Sequence, residues 1–123
     1  MQQISDSELE LMKIVWAAGG TALYAHIMAE LAQTGRSWQK NTVITLLSRL
    51  VDKGFLKVGK IGRRNEYTAA VSQANYQSAQ TQSLVNKLYQ GSARDLVAAL
   101  IRREALSPRD YEELKRFWED GKP

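Results

Sequence analysis

Thr42, Thr45 and Arg49 recur at one-turn and two-turn spacing, with Lys40 and Asn41 just ahead of them. None of these is a nucleophile beside a base. They are hydroxyls, an amide and cations, groups that recognise by hydrogen bonding and charge rather than break bonds. An arginine fork fits the acceptor pair on a guanine edge or a phosphate, and a threonine suits a phosphate or a thymine methyl. A second cationic group follows at Lys60, Arg63 and Arg64. From Arg36 to Arg64 the chain carries eight basic residues against one acid, Asp52, a net +7. The rest holds nine basic residues against twelve acids, a net −3. A basic middle in an otherwise acidic chain implies a polyanion-binding surface, with a solvated charged face as the plain alternative.

Other chemistries lack their residues. There is no cysteine, which excludes thiol nucleophiles, disulfides, iron–sulfur clusters and thiolate-bound metals. His26 is the single imidazole, and no glycine-rich phosphate loop accompanies it. Ser5, Ser72, Ser92 and Ser107 sit where helix caps are needed. The expectation is a binding protein, not an enzyme, without cofactor or metal. No apolar run approaches the ~20 residues of a membrane span, and the start, Met1 to Asp6, lacks a signal-peptide pattern, so the cytoplasm is the expected compartment.

The elements that must position these groups follow from periodicity. Ser5 and Glu8 form a capping-box pattern, with Ile4 and Leu9 placed as a staple; Leu9, Met12, Val15 and Trp16 then mark one helical face. Thr21 to Leu23 fits a short extended piece, and Tyr24 to Gln33 a second helix. A third helix is expected from Lys40 to Lys53, stopped by Gly54, with Val43, Leu46, Leu47 and Leu50 inward and Asn41, Thr42, Thr45, Ser48 and Arg49 outward. Exposed helix faces ordinarily favour Glu, Lys and Gln over threonine. After Gly54 the pattern alternates through Leu56 and Val58, turns at a basic tip around Gly62, and alternates again to Ala69: a hairpin. Three helices follow, at 72–90, from Ser92 to Arg103, and from Ser107, where Pro108 takes the first turn.

Helix, helix, helix, hairpin is the order of a winged helix-turn-helix. A helix fits the major groove of B-DNA, and cations on the wing reach phosphates or a minor groove. The fold expected is mainly α with a small β-hairpin: a winged domain over 1–71 and a helical dimerisation region over 72–123. In the latter, Leu84, Leu88, Leu96, Leu100, Leu114 and Trp118 form apolar faces that need a partner, either a second copy or the chain's own domain. The candidate DNA contacts are Lys40, Asn41, Thr42, Thr45, Arg49, Lys60, Arg63 and Arg64. The rival reading is a helical interaction module whose basic surface meets an acidic protein.

The chain also resembles the BlaI/MecI family of penicillinase repressors over essentially its full length. The resemblance rests on several segments in order: the opening from Ile4 to Trp16; Trp38 with Asn41-Thr42-Val43; the run from Thr45 to Gly54; Lys60 to Arg63 with Tyr67-Thr68; and Gly91-Ser92 with Leu106-Ser107 and Glu112 to Leu114. It implies a homodimeric repressor on a palindromic operator of double-stranded DNA with TACA/TGTA half-sites. It further implies antibiotic-resistance genes as targets and a membrane sensor metalloprotease that relieves repression by cutting the C-terminal region. The family's scissile Asn-Phe pair corresponds here to Ala99-Leu100. Lys40-Asn41 stands where the family often has Pro-Lys, and Ile44 stands at an often polar position, which bears on half-site readout.

Overall fold

The computed structural model describes residues 1–121. It contains α1 (Asp6–Ala17), β1 (Thr21–Leu23), α2 (Tyr24–Gln33), α3 (Lys40–Asp52), β2 (Leu56–Ile61), β3 (Arg64–Ala69), α4 (Gln73–Tyr89), α5 (Ala93–Arg102) and α6 (Pro108–Asp120). Two compact units divide within α4, at Met1–Ala79 and Gln80–Pro123, eight residues beyond the boundary expected from sequence. Tyr76 accounts for the difference. Its ring lies 5.7 Å from Trp16 and 5.8 Å from Phe55, which ties the first turns of α4 into the N-terminal unit.

The core of that unit comes from periodicity. Leu11, Met12 and Val15 of α1, Ile27 and Leu31 of α2, and Val43, Leu46, Leu47 and Leu50 of α3 are buried with Phe55, Leu56 and Tyr67. Each fully buried side chain of this size contributes roughly 1.5–3 kcal/mol, so α3 is held firmly by its inward stripe. On α1 the fully buried leucine is Leu11; Leu9 is only half-buried. Trp16 is half-buried too, its indole N–H donating to the Val71 carbonyl at 2.9 Å. Ser5 caps α1 reciprocally with Glu8.

The sheet has three antiparallel strands in the order β1-β3-β2. The expected hairpin is present, paired from Leu56↔Ala69 to Ile61↔Arg64. The extended piece at Thr21–Leu23 joins it as a third strand against β3. Only two residues, Gly62 and Arg63, close the hairpin, and Gly62 takes φ 62, a conformation that a tight hairpin turn assigns to glycine.

In the C-terminal unit, Ser92 accepts from the Asp95 N–H, and Ser107 forms a reciprocal box with Asp110, with Pro108 opening α6. Neither α5 nor α6 has a fully buried residue. Leu114 and Trp118, expected on an apolar face that needs a partner, are exposed in the single chain together with Tyr111, Trp118 by 88%. Among the described residues, no helix is long and apolar enough to cross a membrane.

Candidate nucleic-acid interface

Burying Val43, Leu46, Leu47 and Leu50 leaves the rest of α3 outward. Lys40, Asn41, Thr42, Ile44, Thr45, Ser48 and Arg49 are all exposed. Arg49 forms no ion pair with any described acid, Asp52 included, so its guanidinium is available to a ligand. The Thr45 hydroxyl donates to the Asn41 carbonyl at 2.8 Å. That bond leaves Thr45 its lone pairs and its methyl for recognition, but not its proton.

Two of the eight cations in the basic window are engaged within the fold. The Arg36 guanidinium lies 3.0 Å from Glu10 and 5.7 Å from the Trp38 ring centroid. The Lys53 ammonium sits 2.8 Å from the Glu8 carboxylate, a group only 2% exposed. Burial pushes the Glu8 carboxyl up. Lys53 and the hydrogen bonds from Ser5 more than offset this and leave it below its ordinary value. The six remaining cations, Lys40, Arg49, Lys57, Lys60, Arg63 and Arg64, are exposed and form no ion pair among the described residues.

Four of those six border two neighbouring clefts. One, of about 620 Å³, is lined by Leu23, Tyr24 and Ala25 at the start of α2, by Lys40 and Ile44 of α3, and by Arg63, Arg64 and Asn65 of the wing. The other, of about 340 Å³, lies between Ile44, Ser48 and Val51 of α3 and Val58, Gly59, Lys60, Asn65 and Tyr67 of the sheet. No acid lines either. Neither α2 nor α3 has a side-chain cap: their N-caps are Leu23 and Gln39. Free N–H groups at a helix start favour an anion, so the larger cleft combines two such starts with three cations. The Tyr24 hydroxyl is buried without a hydrogen-bond partner. Burial keeps the Tyr67 phenol raised and neutral, with Asn65 opposing the shift and Tyr24 adding to it.

Of the expected DNA contacts, Lys40, Lys60, Arg63 and Arg64 line the two clefts between α3 and the wing, and Asn41, Thr42, Thr45 and Arg49 are exposed on α3. The uncapped start of α2, Tyr24, Ile44 and Val58 were not among them. The only sequence signal for the first was the absence of Ser, Thr, Asp or Asn before Tyr24. Trp38 is half-buried and packs against the core.

The penicillinase repressor family matches residues 4–120. This chain belongs to the penicillinase repressor family. It is 40% identical over 115 residues to an uncharacterised 16.5 kDa protein of Latilactobacillus sakei, covering 94% of this chain and 77% of that one. It is 32% identical over 120 residues to the penicillinase repressor of Bacillus licheniformis, covering 98% of this chain and 92% of that one. The monomeric form of Bacillus licheniformis BlaI, solved in complex with the blaP half-operator, superposes with a TM-score of 0.52 at 37% identity, covering 61% of this chain and 89% of that one. The winged-helix fold expected from the order of elements is therefore the fold of a repressor's DNA-binding domain.

Proposed function

We propose that the chain is a sequence-specific DNA-binding transcriptional repressor that acts in the cytoplasm as a homodimer on a palindromic operator. One observation carries the reading: Lys40, Lys60, Arg63 and Arg64 border two acid-free clefts between α3 and the wing, beside the exposed polar residues Asn41 to Arg49 of α3. In this reading α3 enters the major groove. Asn41, Thr42, Thr45 and Arg49 meet base edges and flanking phosphates, while Lys40, Lys60, Arg63 and Arg64 hold the backbone. A module for an acidic protein shares the charge but has no use for an array of short polar groups on a groove-sized helix.

Pairing is supported by the C-terminal unit. Of the thirteen exposed large apolar side chains among the described residues, nine lie between Leu84 and Trp118. Val97, Ile101, Leu106, Tyr111, Leu114 and Trp118 line an apolar groove of about 720 Å³. Packing Leu84, Leu88, Leu96, Leu100, Leu114 and Trp118 against a second copy removes this surface from water and presents two α3 helices to a twofold site. A sensor protease, where one acts, meets the Ala99–Leu100 bond inside hydrogen-bonded α5, so that helix must open before cleavage.

The test is selection of duplexes from a random pool by the full-length chain, followed by binding titrations at several salt concentrations. The expected result is an inverted repeat bound at least 10³-fold tighter than random duplex, with affinity falling steeply as salt rises. Equal affinity for all duplexes overturns the repressor reading and favours the acidic-partner alternative.

A further inference from the structure

Outside the C-terminal unit, and apart from Met1, the exposed large apolar side chains are Ile44, Val58 and Ile61, all on α3 or the wing. Ile44 is 42% exposed in the middle of a face otherwise made of Asn41, Thr45, Ser48 and Arg49. Helix propensity gives no reason for a β-branched apolar residue there, and leaving it in water forfeits burial energy. Val58 is 48% exposed and, by strand alternation, shares a sheet face with buried Leu56 and with Lys60. Ile44 and Val58 line the smaller cleft together, and Ile44 also walls the larger one with Lys40, Arg63 and Arg64.

The result is an apolar strip between cations with no acid along it. Its occupant must present negative charge at the edges and an apolar group between. A duplex meets both demands where a thymine places its C5-methyl in the major groove, flanked by phosphates. The neighbouring Thr45 hydroxyl, committed to the Asn41 carbonyl, does not compete as a donor at that place. We propose that Ile44 is a specificity-determining residue that contacts a thymine methyl in each half-site, with Val58 forming the opposite wall of the groove. The proposal rests on the DNA-binding reading and deepens it.

Replacing thymidine by deoxyuridine deletes the methyl alone and keeps base pairing. The selected duplex is synthesised with one such replacement at a time and titrated with the full-length chain, with Ile44→Ala and with Ile44→Val. A single replacement at the contacted thymidine of one half-site is expected to weaken the native chain about fourfold, the worth of one buried carbon. The same replacement leaves Ile44→Ala unaffected, while Ile44→Val keeps most of the discrimination. The salt slope is the same for all three proteins, since no phosphate contact is lost. Insensitivity of the native chain to every replacement, or an equal loss in Ile44→Ala, overturns the proposal. So does a change in the sedimentation of DNA-free Ile44→Ala, which makes the strip a contact between copies. Failure of the pool to enrich any duplex is a separate result: it removes the DNA-binding reading itself, and this proposal with it.

Discussion

Lys53 sits 2.8 Å from a buried carboxylate, whereas Arg63 stands exposed in the turn of the wing. Their charges are equal, but their surroundings assign them different consequences. Lys53→Ala strands the Glu8 carboxylate in the protein and is expected to cost about 2 kcal/mol, less than a fully buried pair because Lys53 keeps some contact with water. Urea unfolding measures that loss, and the salt dependence of DNA binding stays unchanged. Arg63→Ala is expected to leave stability within about 0.5 kcal/mol and to lower the slope of log affinity against log salt by about one. Glu8 also sets a pH dependence. Its carboxyl is held below its ordinary value, so its contribution is present above the ordinary carboxylate range and is lost as pH falls through the lowered value. Glu8→Gln is therefore expected to lower the melting temperature at neutral pH and to flatten its decline in acid. A variant with an unchanged acid limb counts against this role.

At the scale of elements, helix ends carry most of the local information. Ser5, Ser72, Ser92 and Ser107 were readable as caps because each lies just before an apolar period, and each accepts from a backbone N–H in the structure. The end of α5 is less favourable. Glu104 adopts φ 57, a left-handed conformation that costs an L-residue roughly 1–2 kcal/mol and glycine almost nothing. Glu104→Gly is expected to stabilise the protein by about 1 kcal/mol, read as a higher urea midpoint; a lower midpoint removes the assignment. What the sequence did not reveal has common causes. Three residues are too few to display alternation, so Thr21–Leu23 was legible as an extended piece but its pairing with β3 was not. Leu9 and Leu11 both fit an apolar face of α1, and only packing decides that Leu11 is interior. Glu8 and Lys53 lie 45 positions apart, and no local pattern joins them. On α3, by contrast, the four buried residues and the outward polar set were both legible, because one strong helical period fixes both faces at once. Ile44 was visible as a departure, but its exposure beside Val58 required the hairpin to be placed.

For the whole molecule, the division within α4 separates two kinds of surface. Residues up to Ala79 close a core and display cations, while those from Gln80 onward display apolar side chains. Leu88→Asp and Leu100→Asp each place a charge on that apolar surface. They are expected to yield monomers in sedimentation, to bind a single half-site weakly and to lose the palindrome. Intact dimers in both variants remove this face from the interface. The apolar surface of α5 and α6 has a consequence for control of a gene. If the proposed pairing holds, the amount of paired protein follows the square of the copy number wherever subunits are dilute enough to separate. Halving the supply of chains then leaves a quarter of the operator-competent species. A switch of this kind responds sharply to synthesis, dilution by growth or degradation, and needs no small effector molecule to do so.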